Sequence, residues 1–129
     1  MSDFTLMVNN LVENIKEHSD IHFKIITDDK IDWNTVNSLV KMQVYRILQE
    51  ALQNIEKYAQ AKSVVISMIE RDQKLNVTIT DDGVGFDMNS AKIGIGHKNM
   101  QERAAEIKGS CVISSSIGKG TKINLIIPT

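Results

Sequence analysis

Cysteine and proline are nearly absent from this chain, with one of each in 129 residues. A lone cysteine rules out an internal disulfide and agrees with a reducing compartment. Lying in an apolar run, Cys111 reads as a small buried hydrophobe. Nothing marks a linker, a low-complexity tract or an internal repeat. An excess of one charge is missing too: 15 basic residues face 16 acidic ones, so no global field draws the chain to nucleic acid or a membrane. No apolar run approaches the ~20 residues that span a bilayer, and Met1 to Asn10 lacks the basic start of a signal peptide. Aromatics make up only 5%; the balance, 42% hydrophobic and 24% charged, suits one compact domain with a sizeable core.

What is present is periodic. Phe4, Met7, Val8, Leu11, Val12 and Ile15 recur at helical spacing, with Ser2 or Asp3 as a cap, until His18, Ser19 and Asp20 break the pattern. Ile21 to Ile26 alternates as a short strand, and Asp28, Asp29 and Lys30 form a turn. A long helix is predicted from Trp33 to Ala59, started by Asp32 or Asn34. A hairpin follows, with strands Val64 to Glu70 and Leu75 to Thr80. Asp87 to Ile93 reads as a loop. A third helix opens at Gly94-Ile95-Gly96, buries Met100, Ala104 and Ile107, and is capped by Gly109. Strands Ser110 to Ser115 and Lys122 to Ile127 form a second hairpin, with Pro128 closing the sheet edge. The order α-β-α-β-β-loop-α-β-β predicts a two-layer α+β sandwich. Its sheet is mixed but largely antiparallel, and its helices pack on one face.

On the long helix, Val44, Leu48, Ala51, Leu52, Ile55 and Ala59 form the apolar face, while Glu50, Asn54 and Lys57 make a second stripe. That stripe is either a solvated face or an oxygen-ligand site for Mg²⁺ beside a phosphate-binding lysine. Three glycine-bearing segments bear on the choice. In Asp81-Asp82-Gly83-Val84-Gly85, glycines after a strand let a ligand approach the backbone, and Asp81 can accept from an amine; a tight turn explains the same residues. Gly94-Ile95-Gly96 leaves free N–H groups at a helix start, an anion site or merely a flexible entry. Gly118-Lys119-Gly120-Thr121 alone is a hairpin turn.

In this order the four segments resemble the ATP-binding domain of sensor histidine kinases, in the superfamily of DNA gyrase, the HSP90 chaperones and the MutL repair protein. The resemblance runs from about Ile21 to Pro128, with residues 1–20 as a lead-in helix and 21–129 as a Bergerat-fold core in a single domain of residues 1–129. Glu50, Asn54, Lys57 and Tyr58 match the N box. Asp81, Gly83 and Gly85 match the first glycine box, Gly94 and Gly96 the second, and Thr121 the last element. The wording QEAL and GIGHKNMQERA looks most like kinases that partner helix-turn-helix response regulators. The resemblance implies that Asn54 gives an oxygen to Mg²⁺, with Glu50 orienting a metal-bound water or acting as a base. It further implies that Lys57 neutralises phosphate, Asp81 takes the adenine amino group, and Thr121 supports the adenine. Gly94 and Gly96 meet the phosphates, under a lid from Asp87 to Ile93. His97 departs from the leucine common in relatives and reads as a polar lid-side residue.

The family's phosphoacceptor histidine sits on a dimerising helical hairpin before the ATP domain. Phe4 to Glu17 is too short for one, and neither His18 nor His22 suits the role. The expectation is a cytoplasmic fragment of a longer kinase, itself sometimes membrane-anchored. Its partners would be ATP or ADP, a histidine-containing dimerisation segment and a downstream response regulator, with no nucleic acid and no direct membrane contact. Two rivals stand beside it: a free-standing anti-sigma-factor-type serine kinase, which shares the fold and is complete at about this length, and, from another class, a nucleotide-binding module without turnover. Loss of Glu50, Asn54 or Lys57 would mark the last, and all three are present.

Overall fold

The computed structural model describes residues 3–86 and 94–128, without the side chain of Ile95; the expected lid, Asp87 to Ile93, lies outside the described residues. Helix α1 (Asp3–Lys16) buries Phe4, Val8, Val12 and Ile15, one stripe at helical spacing. The Phe4 ring stacks on Trp33 with centroids 4.4 Å apart, tying α1 to the segment ahead of the second helix. Strand β1 (His22–Thr27) lies between them.

The long helix starts later than its sequence suggests. Asp32 does cap, accepting from the Asn34 N–H at 3.1 Å, but what it caps is a short 3-10 turn, Trp33–Thr35. Val36 then turns extended (φ −76°, ψ 134°), and Asn37 restarts the chain as helix α2 (Ser38–Asn54), accepting from the Leu39 N–H at 2.7 Å. The far end also departs from a plain α-helix. Ile55–Ala59 is a π turn, and Gln60 leaves it in the left-handed region at φ 51°. Of the expected apolar face, Val44, Leu48, Ala51, Leu52 and Ile55 are buried and Ala59 is half-buried.

Strands β2 (Ser63–Arg71), β3 (Lys74–Asp81), β4 (Ser110–Ser115) and β5 (Thr121–Pro128) join β1 in one five-stranded sheet of order β1-β2-β3-β5-β4. The β1–β2 pair is parallel and the others antiparallel, so the sheet is mixed and largely antiparallel. Pro128 ends β5 opposite Lys74; β5 runs between β3 and β4, so Pro128 stops an interior strand and not an edge. Period-two alternation decides which face is covered. Val64, Ile66, Met68, Val77, Ile79, Leu125 and Ile127 are essentially inaccessible, whereas Val112 on the opposite face is 56% exposed.

Helix α3 (Gly94–Glu106) buries Met100, Ala104 and, just beyond its end, Ile107. Its left-handed closing residue is Lys108 (φ 60°), with the Gly109 N–H returning to the Ala104 carbonyl at 2.8 Å. Between α2 and α3 sits a buried amide: Gln43 accepts from Arg103 Nη1 at 3.2 Å and donates to Glu106. Among the described residues, no helix is long and apolar enough to cross a membrane.

One-sided coverage has a measurable consequence. Leu48→Ala, at the centre of the covered layer, is expected to cost about 2–5 kcal/mol in urea denaturation. Val112→Thr, on the open face, should stay within about 0.5 kcal/mol of the parent. Equal costs would contradict a sheet covered on one side.

Candidate functional site

Strand register turns the core from aliphatic to polar at one end of the sheet. Ile66, Ile79, Ile123 and Ile113 form one cross-strand row beneath the helices. Two residues along each strand, the next row on that face is Val64, Asp81, Thr121 and Ser115. A carboxylate and two hydroxyls therefore stand where a purely structural core would continue with valine or isoleucine.

Asp81 is only 4% exposed, and its Oδ1 accepts from the Gly83 N–H at 2.8 Å. Burial pushes its carboxyl above the ordinary value and the neighbouring Asp82 adds to this; the N–H groups of Gly83 and Thr121 oppose it. Asp82 has the contrary environment. It is exposed, and its Oδ1 accepts from the N–H groups of Ser63 and Lys62 at 2.9 and 2.8 Å, which hold its carboxyl below the usual range. One aspartate faces inward; its neighbour pins the chain to the start of β2.

The segment after Asp81 is stitched to three others. The Val84 N–H donates to Ala59 at the end of the π turn at 2.7 Å, and the Val84 carbonyl accepts from Gly118 at 2.6 Å. Gly85 has φ +65°, and a Cβ there would lie 2.0 Å from the Ser116 carbonyl oxygen, so no other residue fits. The Phe86 N–H donates to Ser115 Oγ at 3.0 Å.

Above this floor lies a small cleft of about 50 Å³. Asp81, Thr121 and Ile123 form its floor, α2 and the π turn give Ala51, Asn54, Ile55 and Tyr58, and Phe86, His97 and Met100 line it further. Of the residues singled out in the sequence, Asn54, Tyr58, Asp81, Gly85 and Thr121 line the cleft; Glu50, Lys57 and Gly83 do not. Gly83 instead holds Asp81, while Lys57 is exposed on the π turn beside Tyr58. Gly94 opens α3, and Gly96 crosses α2 so closely that a Cβ would come within 2.7 Å of Glu50 Oε1 and 3.2 Å of Asn54 Nδ2. The second glycine segment and the Glu50–Asn54 pair, distant in sequence, meet there.

His97 is half-buried against Phe86, with ring centroids 4.9 Å apart at 46°, and burial lowers its pKa. The sequence pattern does not single out Phe86 and Ser115 as site residues. The one signal for Phe86 is its place directly after the glycine pair, and Ser115 reads as any polar strand residue.

The two aspartates should move stability with pH in opposite directions. Asp81, raised when folded, contributes stability only at low pH and loses it as pH climbs from the ordinary value of 3.8 through its folded pKa. Asp82, depressed, contributes above 3.8 and loses this as pH falls through its folded pKa. Asp81→Asn should therefore gain on wild type as pH rises through that window, and Asp82→Asn should fall behind it. Urea midpoints measured in steps from pH 3 to 7 test both slopes; slopes of the same sign would refute the assignment.

Residues 39–129 match the family described as histidine kinase-, DNA gyrase B-, and HSP90-like ATPase. The signal transduction histidine-protein kinase/phosphatase DegS of Brevibacillus brevis is 40% identical over 90 residues, covering 69% of this chain and 23% of that protein. The sensor histidine kinase LiaS of Bacillus subtilis (strain 168) is 32% identical over 129 residues, 96% of this chain and 36% of its own length. The chain thus spans well under half of these curated relatives. The histidine kinase domain of the blue-light activated histidine kinase from Erythrobacter litoralis EL346 shares the fold, with a TM-score of 0.78 at 18% identity over 94% of this chain and 58% of that one. Because the family match takes in most of the chain and every residue of the cleft, this protein belongs to the histidine kinase-, DNA gyrase B- and HSP90-like ATPases.

Proposed function

We propose that residues 1–129 act as the ATP-binding catalytic domain of a two-component sensor histidine kinase. In this reading the domain binds ATP and donates the γ-phosphate to a histidine on a dimerisation segment, for onward transfer to a response regulator. The observation that carries it is the buried Asp81 carboxylate on the floor of a cleft otherwise walled largely by apolar side chains. A buried carboxylate that can only accept is matched to an amino group on a flat, largely apolar ligand, and adenine is such a ligand.

The remaining roles follow from position. The base enters between Ile123 on the floor and Met100, with its 6-amino group toward Asp81. The phosphates extend toward the start of α3, where first-turn N–H groups have no partner within the helix and favour anions. Lys57, exposed beside Tyr58, meets phosphate oxygens from outside the cleft. Glu50 Oε1 and the Asn54 amide converge beside Gly96; a carboxylate and an amide carbonyl together are a donor set that fits Mg²⁺. Asn54 would hold the ion through its amide oxygen, and Glu50 would orient a water or take a proton. Mg²⁺, when bound, supplies charge neutralisation at the phosphates. Transfer itself needs the acceptor histidine held in line with the γ-phosphate, which the dimerisation segment provides.

Calorimetric titration tests the base and its reader together. Wild type is expected to bind ADP in preference to GDP, whose 6-keto oxygen meets Asp81 acceptor to acceptor. Asp81→Asn should lose about ten- to a hundredfold in ADP affinity, the value of a hydrogen bond to a charged group. Since only the ionised carboxylate accepts at both oxygens, ADP affinity should decline on acidification at a pH above that of an ordinary carboxyl. Equal binding of ADP and GDP by wild type would reject the assignment.

Phosphoryl transfer has its own assay. A separately produced dimerisation segment bearing the histidine should acquire acid-labile label from labelled ATP only when this chain is added. Labelling of His18, His22 or His97 in its absence would overturn the scheme.

A further inference from the structure

A hydroxyl has one proton to give and two lone pairs to receive with, and Ser115 Oγ has all of these engaged. It lies 2.9 Å from the Gly120 carbonyl oxygen, 3.0 Å from the Phe86 nitrogen and 2.8 Å from Thr121 Oγ1. A carbonyl can only accept, so the Ser115 proton lies in the bond to Gly120. A backbone N–H can only donate, so Phe86 occupies one lone pair. Thr121 therefore meets an oxygen with no proton left and must be the donor in the third bond. Its own proton is committed, and Thr121 Oγ1 can only accept from whatever enters the cleft it lines. Asp81, its partner in the same row, is an acceptor too.

We infer that Ser115 is a positioning residue for base recognition. By accepting the Thr121 hydrogen bond it makes two adjacent acceptors of this end of the cleft, which select a ligand edge bearing an amino group and reject one bearing a keto oxygen. Ser115 is separated from the ligand by Thr121 in the cross-strand row and acts through it. With the Ser115 oxygen gone, the Thr121 hydroxyl is free to rotate and donate to a keto group. The inference deepens the nucleotide reading and rests on it.

The test compares ADP with inosine diphosphate, which has the same shape but a 6-keto oxygen, by calorimetric titration. Wild type should favour ADP. Ser115→Ala should narrow the ADP-to-inosine preference about three- to tenfold, the value of one neutral hydrogen bond. Ser115→Thr keeps the hydroxyl and should restore the wild-type ratio. In a Thr121→Val background, Ser115→Ala should leave the ratio unchanged, because its effect passes through Thr121. Equal weakening of both ligands by Ser115→Ala would make Ser115 a structural anchor of the Phe86 segment and overturn the inference. Narrowing that persists in the Thr121→Val background would do the same. If Ser115→Ala proves unfolded, Ser115→Cys, a weaker acceptor, should give an intermediate ratio, and a wild-type ratio from it overturns the proposal. A wild type that binds neither diphosphate removes the nucleotide reading itself, and this inference with it.

Discussion

A carboxylate buried at the end of a sheet is the constraint around which this molecule is arranged. Asp81 occupies a place that strand alternation assigns to the core, on the same face as Val77 and Ile79. Desolvation disfavours its charge, and only two backbone N–H groups, of Gly83 and Thr121, push the other way. A fold selected for stability alone would place an aliphatic residue there. The local cost becomes intelligible in the proposed reading, in which a ligand amino group entering the cleft would complete what the protein leaves incomplete. In that reading, stability and recognition are set against one another at a single residue.

Holding that carboxylate requires a backbone that cannot drift, and the segment from Asp82 to Phe86 has no regular structure of its own. Its rigidity is borrowed. Asp82 fastens it to the start of β2, Val84 to the π turn and to the β4–β5 turn, and Phe86 to Ser115. All seven glycines of the chain lie between Gly83 and Gly120, in the part that forms these crossings. Two of the crossings need their glycines for different reasons: Gly85 for a positive φ against Ser116, Gly96 for the approach of α3 to Glu50 and Asn54. The glycines that looked like ambiguous turns in isolation are the points where separate segments touch.

Much of this was legible in the linear pattern, because the physics that decides it is local or strictly periodic. The buried faces of α1, α2 and α3 follow the helical period, and the strands follow the period of two. Asp81 could be found because a charged residue interrupts an alternating strand just before glycines. The start of α2 is not legible in the sequence because Asp32 is a true cap, only of a different turn; capping chemistry at Asp32 and Asn37 looks alike in sequence. Ser115 was invisible for another reason. Its role lies in three hydrogen bonds to partners 29, 5 and 6 residues away, and no periodicity encodes them.

The π turn at Ile55–Ala59 explains why the stripe of Glu50, Asn54 and Lys57 does not survive as one line. A regular helix would carry the three along one face, but the wider i→i+5 turn changes the angular step after Asn54. Asn54 and Tyr58 line the cleft, while Lys57 stays outside it. The same irregularity ends with Gln60 in the left-handed region and with the Ala59 carbonyl accepting from Val84 at 2.7 Å. A Cβ on Gly83 would fall 2.2 Å from that carbonyl oxygen, so the helix end, the glycine and the aspartate it holds form one packed unit. Straightening the turn into α-helix would move the Ala59 carbonyl, release Val84 and loosen the Gly83 N–H from Asp81. The irregular end of α2 is therefore part of the machinery that keeps the buried carboxylate in place, and not a frayed terminus.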